Sequence, residues 1–301
     1  MKPIDTLGFI GLGVMGEPMC ANLIAKAGRA VYGADTRRAP VDRLAGRGLK
    51  PCATVAEVAA AADVIFLSLP SGHEVEEVCL GAGGIVAAKG RVHTVVDMST
   101  SAPKLMAELA EKLAARGVNF LDAPVARTRQ AARDGTLSIM VGGPAEAFAA
   151  VRPYLACMGS EVTHCGGHGA GQVVKILNNM VLFMTGQALG EALAIARNAG
   201  VDGKLLFEVM SKGSSDSFAL RNHGLKAMVP GVFPEDAFPT DYAIKDIKLA
   251  LDLATQGGVA AKGAHTTCAL LEATSGAGYR TQYWPVMVKM IEGKTRIANS
   301  E

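Results

Sequence analysis

The residues best suited to chemistry lie in two glycine-marked runs. The first, Gly11-Leu12-Gly13-Val14-Met15-Gly16, follows the short apolar run Leu7–Ile10 and precedes an apolar repeat of helical period from Gly16 to Ala27. Glycines at this spacing permit a tight turn, close approach of a pyrophosphate to the backbone, and close packing of helix on strand. The helix N-terminus then offers free N–H groups to phosphate oxygens. Asp35 ends the run Ala30–Ala34, 19 residues beyond Gly16. A carboxylate there accepts from both hydroxyls of an adenosine ribose, which favours NAD and leaves NADP as the alternative. Arg37 and Arg38 come directly after, suited either to a 2′-phosphate or to a solvated turn.

The second run is Gly169-Ala-Gly-Gln-Val-Val-Lys175-Ile-Leu-Asn-Asn179. A lysine ammonium can give a proton to a carbonyl oxygen, and the neutral amine can take one from a hydroxyl. Asn179 follows by one helical turn on the same face, whereas Asn178 lies about 100° further round. Taken alone, a lysine in an amphipathic helix is usually a surface residue, so both readings stand at this point.

Composition bounds the class that holds these runs. The 301 residues are 50% hydrophobic but only 5% aromatic, so the core is built from Ala, Val, Leu, Ile and Met. With 30 basic against 28 acidic residues there is no electrostatic footprint for nucleic acid or an anionic membrane. Six scattered cysteines form no CxxC pair and read as reduced, small hydrophobes. His164-Cys165-Gly-Gly-His168 has ligand-type residues but no third partner, so no metal is expected. The first residues lack the pattern of a signal peptide, and no run of 18 apolar residues stands out. A cytoplasmic globular protein is expected.

Those residues need a scaffold, and the chain describes one. Apolar runs at Leu7–Ile10, Ala30–Ala34, Asp63–Leu69, Arg91–Val96, Val118–Leu121 and Ser138–Val141 alternate with helical segments. Continuous apolar strands between helices imply a parallel sheet covered on both faces, the doubly wound plan. Beyond about residue 163 the pattern turns helical, beginning with an uninterrupted apolar repeat over 171–199 that suits a helix crossing a domain boundary or packing on a second subunit. The expected fold is an α/β Rossmann domain (1–164) and an all-α C-terminal domain (165–301), joined by a long interdomain helix.

Five segments together resemble the β-hydroxyacid dehydrogenase family, typified by 3-hydroxyisobutyrate dehydrogenase and tartronate semialdehyde reductase. They are Gly8–Gly16, Asp97-Met-Ser-Thr100, Asp122-Ala-Pro-Val125 running on to Asp134-Gly-Thr-Leu137, Gly169–Asn179, and Lys245-Asp246-Ile-Lys-Leu-Ala250. The resemblance implies an NAD(P)-dependent oxidoreductase that interconverts a small β-hydroxy acid and its semialdehyde, as a homodimer or homotetramer. It implies Lys175 as the catalytic general acid and base, with Asn179 beside it. Leu69, Pro70 and Thr100 become cofactor contacts together with Gly11–Gly16 and Asp35, and Lys245 becomes the C-terminal-domain residue directed at the cofactor. Ser99 and the stretch Ala126, Arg127, Thr128 become substrate contacts.

The chain departs from the family in that last stretch. Where relatives commonly carry Ser-Gly-Gly, this sequence has Ala126-Arg127-Thr128 and then Arg129, similar to the Pro-Val-x-Arg-Thr form of sulfolactaldehyde reductases. A guanidinium there is suited to carboxylate, sulfonate or phosphate oxygens, so a small substrate with a strongly anionic group, such as a sulfonate, is expected; the alternative is that Arg127 pairs with a domain-closing carboxylate or points into solvent. Tyr283 and Trp284 also depart from the pattern, either packing the last helix or closing one side of the pocket. Ser214 lies in a polar loop of possible substrate contact. The competing reading is a non-catalytic dinucleotide-binding interaction module, which loss of the lysine would mark; Lys175 is present.

Overall fold

The computed structural model describes residues 2–88, 90–235 and 237–298. Its strands, among the described residues, are β1 (Thr6–Ile10), β2 (Ala30–Ala34), β3 (Lys50–Pro51), β4 (Val64–Leu67), β5 (Thr94–Asp97), β6 (Asn119–Asp122), β7 (Val125–Ala126), β8 (Leu137–Gly142) and β9 (Gly159–Gly166). They form one sheet of order β3-β2-β1-β4-β5-β6-β8-β7, with β9 paired to β8. From β3 to β6 every pairing is parallel. The order reverses between β1 and β4, so the carboxyl ends of these strands frame the crevice in which doubly wound sheets bind nucleotides.

Strand alternation explains why the apolar runs are unbroken. Leu7, Phe9, Val64, Phe66, Val96 and Leu121 join a core on one face. Their neighbours Ile10, Ile65, Leu67, Val95 and Phe120 join a second core on the other. A strand buried on both faces has no polar side to show.

The far edge corrects the all-parallel expectation. β8 runs antiparallel to β6 and β7 and parallel to β9. Strand β9, Gly-Ser-Glu-Val-Thr-His-Cys-Gly, was not expected because its residues are mostly exposed or half-buried and carry no apolar run.

The chain divides into two compact units, Met1–Lys175 and Ile176–Glu301. The division between these units falls within the long helix Ala170–Asn198. The reason is local: the first turn of that helix is bonded to β6 and to the loop after β5, so it belongs to the first unit. The helix is long and apolar enough to cross a membrane by length and composition, and 44% of its most apolar 18-residue window is buried inside the protein.

The second unit is helical, with Gly203–Met210, a π-helical turn Leu220–Met228, Thr240–Gln256, Lys262–Thr274 and Val288–Ala298. The helix Thr240–Gln256 starts directly after Pro239. Trp284 is fully buried at the centre, edge-on to Phe183 with ring centroids 5.1 Å apart. A Cβ added at Gly186 would lie 2.4 Å from the Trp284 ring, so the small residue makes room for the indole. Trp284 therefore packs the core of this unit.

Candidate active site

The three glycines of the first run do different things. Gly11 has φ +90° and an added Cβ would lie 2.3 Å from the Ser68 carbonyl oxygen; one added at Gly16 would lie 2.0 Å from that of Gly11. Both are required by the turn itself and by helix–strand packing. Gly13 is different, because its nearest protein atom to an added Cβ is Arg37 Nη2 at 3.8 Å, and its φ is not positive. No protein neighbour requires a glycine at 13. The open backbone there is the approach that a pyrophosphate needs. The helix Gly16–Lys26 starts without a side-chain cap, so its first turn is not satisfied by a capping oxygen. Its first-turn acid, Glu17, is held by Arg43 through 2.7 and 2.8 Å bonds, and this pairing holds the carboxyl below the usual range. The residues present thus fit a dinucleotide.

Asp35 stands at the end of β2 with only 7% of its side chain exposed. Its Oδ2 accepts the Leu12 N–H at 2.6 Å and its Oδ1 accepts the Arg37 N–H at 2.8 Å. Arg37 Nε also donates to Oδ1 at 3.2 Å, and Nη2 to the Leu12 carbonyl at 3.2 Å. Asp35 and Arg37 therefore brace the loop together. Arg38 pairs with Asp42 on its own helix instead.

Leu69 and Pro70 follow β4, and Ser99 and Thr100 follow β5, as the motifs suggest. The Leu69 N–H donates to Ser99 Oγ at 2.9 Å, and the Ser99 N–H to Asp97 Oδ1 at 2.9 Å. Ser99, expected to contact substrate, thus joins the loop after β4 to the loop after β5. Gln172 was missed by the sequence reading. Its Nε2 donates to the Ser99 carbonyl at 2.8 Å and its Oε1 accepts the Ser101 N–H at 3.0 Å.

Lys175 is 6% exposed and Asn179, one turn later in the same helix, is 4% exposed. Asn178 is on the exposed side. In the second unit the Asn179 amide donates to Asp246 Oδ2 at 2.7 Å, and Lys245 Nζ lies 3.6 Å from Asp246 Oδ1. Asp246 is a further functional candidate; its place beside Lys245 in the fifth motif was the available signal.

Two family models match the chain. One, described as the NAD binding domain of 6-phosphogluconate dehydrogenase, covers residues 6–167; the other, the NAD-binding model of NADP-dependent 3-hydroxyisobutyrate dehydrogenase, covers 169–291. The chain belongs to the β-hydroxyacid dehydrogenase family. It is an NAD(P)-dependent dehydrogenase. It is 34% identical to 2-(hydroxymethyl)glutarate dehydrogenase of Eubacterium barkeri over 300 residues, which are 100% of this chain and 99% of the relative. It is 41% identical to 3-hydroxyisobutyrate dehydrogenase of Pseudomonas aeruginosa over 253 residues, 81% and 84% of the two chains. A solved structure of 3-hydroxyisobutyrate dehydrogenase from Mycobacterium tuberculosis with L-serine is similar with a TM-score of 0.86 at 29% identity, covering 96% of this chain and 99% of that one.

Within this β-hydroxyacid dehydrogenase the departing stretch behaves unlike its side chains suggest. Arg127 has φ +87°, the left-handed region, at a place where the family commonly has glycine. Its Nη1 donates to the Thr136 carbonyl at 2.6 Å and to Ser160 Oγ at 3.0 Å. Ala126 pairs with Ser138 in the sheet, and Thr128 caps the short helix Arg129–Asp134 by accepting the Ala131 N–H at 3.3 Å. In this structure the Arg127 side chain fastens its own loop.

The remaining candidates resolve simply. His164 bonds the Gly143 carbonyl and His168 that of Phe120, and no cluster of three metal-ligating side chains occurs among the described residues. Ser214 is exposed, while Ser217 Oγ accepts the Leu220 N–H at 3.0 Å as a cap.

Proposed function

We propose that this dehydrogenase interconverts a small carboxylate-bearing β-hydroxy acid and its semialdehyde, with Lys175 moving the proton that accompanies the hydride. The observation that carries the reading is a buried lysine, 6% exposed, one turn beyond a residue bonded to the loop at the carboxyl end of β5. Bound NAD(P) supplies hydride acceptance or donation. Gly11–Gly16, with Leu12, Val14 and Met15 supplying backbone, hold its pyrophosphate, Asp35 its ribose, and Leu69, Pro70 and Thr100 line its path. Asp35 favours NAD as the preferred form. The family resemblance supports Lys245 as a further cofactor-binding residue.

In reduction the Lys175 ammonium donates to the carbonyl oxygen as it gains charge; in oxidation the neutral amine accepts the hydroxyl proton. Asn179, its amide oriented by Asp246, supplies a fixed donor to the substrate oxygen. The backbone at Ala126, Arg127 and Thr128, kept in a glycine-like turn, receives the substrate carboxylate together with Ser99. The relatives' names, 2-(hydroxymethyl)glutarate and 3-hydroxyisobutyrate dehydrogenase, support a carboxylate substrate.

Apolar side chains on the outside of the helices, including Val181 (57% exposed), Ile195 (68%) and Val209 (60%), support assembly as a homodimer or homotetramer. A cytoplasmic enzyme without nucleic-acid or membrane partners completes the proposal.

Initial rates over a panel of small hydroxy acids and hydroxysulfonates, each with NAD and NADP, test the reading. Highest kcat/KM is expected for a carboxylate with NAD. A clear sulfonate preference would return the Arg127 guanidinium to the substrate.

A further inference from the structure

Gln172 is fully buried in the first turn of the helix that carries Lys175, and each half of its amide is engaged by backbone more than 70 residues earlier. The chemistry of those partners fixes the amide's orientation. The Ser99 carbonyl accepts only, so it faces Nε2; the Ser101 N–H donates only, so it faces Oε1. The same turn is fastened from below. Asp122 Oδ1 accepts the Gly169 N–H at 2.7 Å and Oδ2 accepts the Gln172 N–H at 3.0 Å. Carbon at Gly171 would collide with this clasp, lying 2.4 Å from the Met140 carbonyl and 2.8 Å from Asp122 Oδ2. The backbone and side chain of one residue thus connect the end of β6, the loop after β5, and the helix three residues before Lys175.

We propose that Gln172 is a positioning residue for hydride transfer: its amide sets the loop Ser99–Ser101 and the start of the Lys175 helix at one fixed separation. The proposal rests on Lys175 being the proton-transfer group and on the loop after β5 holding the nicotinamide end of the cofactor. A shift of about 1 Å between positioned groups costs on the order of 100-fold in rate, so loss of the bridge is read in the chemical step.

The test uses the full-length enzyme with Gln172→Met, which keeps length but neither donates nor accepts, and Gln172→Glu. Expected for Gln172→Met is a fall in kcat of about 100-fold, with the deuterium isotope effect on kcat rising because hydride transfer becomes limiting. ADP-ribose, which lacks the nicotinamide, should bind within about twofold of its original affinity, since the glycine loop is untouched. Gln172→Glu should regain activity relative to the original enzyme as pH falls. A protonated carboxyl restores one donor and one acceptor, whereas the carboxylate still accepts the Ser101 N–H but sets its other oxygen, an acceptor, against the Ser99 carbonyl. The proposal is overturned by kcat within about threefold of the original, or by kcat and ADP-ribose affinity falling together with an unchanged isotope effect. Lys175→Ala in the same assays separates the two claims. Retained turnover there overturns the proton-transfer reading, and with it this proposal, whatever Gln172→Met does. Lost turnover in Lys175→Ala with an unaffected Gln172→Met overturns this proposal alone.

Discussion

In the first unit Asp63 and Asp122 are buried with donors converging on both oxygens, whereas in the second unit His223 is buried with far less support. Asp63 accepts the N–H groups of Asp5 and Thr6 at 2.8 and 2.9 Å and Arg91 Nε at 2.7 Å. Burial alone would raise its carboxyl, but these donors hold it below the usual range. Asp122 is more deeply enclosed, and burial raises its carboxyl despite the N–H groups of Gly169 and Gln172. His223 has Nδ1 on the Tyr283 hydroxyl and no partner for Nε2 among the described residues; Trp284 Nε1, in the neighbouring ring, has none either. Burial, with Lys226 nearby, lowers His223 to about 4. The comparison teaches that the first unit uses buried carboxylates to fix backbone, Asp63 at the amino ends of β1 and β4 and Asp122 at the carboxyl end of β6, while the second keeps a neutral imidazole inside an aromatic core.

The largest consequence falls on the second unit. Above pH 6.5 His223 is neutral whether folded or unfolded, so its cost is absent. Below that the unfolded chain takes up a proton first, and unfolding free energy falls until about pH 4, by about 3 kcal/mol in total. Urea unfolding at pH 7, 5 and 4, followed by the single tryptophan, should show this loss, and His223→Phe should flatten it. An unchanged pH slope in that variant would assign the acid sensitivity elsewhere.

Next in size is Asp122→Ala, which strands two buried N–H groups and should cost about 2 kcal/mol in the first unit, read by urea unfolding in circular dichroism. A cost under about 0.5 kcal/mol would show that the carboxylate does not fasten the helix start. Gly13→Ala should weaken NAD binding about tenfold while the unfolding midpoint stays put, because only the ligand needs that space. A lowered midpoint with unchanged affinity would give Gly13 a purely structural task. The smallest effect is at Arg127. Arg127→Gly should be more stable than Arg127→Ala by about 0.5–1 kcal/mol, since glycine adopts the left-handed backbone freely. Equal stabilities would show that the loop relaxes out of that conformation.

Legibility in the sequence followed the same division. Apolar runs buried on both faces announced six of the strands, and glycine spacing announced the phosphate loop. β9 stayed hidden because an exposed edge strand needs no apolar pattern. At Arg127 the residue type was visible, but its left-handed backbone and its bonds to Thr136 and Ser160 were not. Gln172 in an apolar helix carries no local signal at all, because its partners Ser99 and Ser101 are distant in sequence. Asn179 shares the buried side of its helix with Lys175, as the helical spacing predicts, but its tie to Asp246, 67 residues later, depends on the folding of the second unit.

The most direct test of the central claim is steady-state turnover of Lys175→Ala set beside its affinity for reduced cofactor, measured by fluorescence titration. The account predicts turnover lowered on the order of 1,000-fold with affinity within about twofold of the original. Turnover that persists, or that falls only in step with cofactor affinity, would contradict Lys175 as the group that moves the proton.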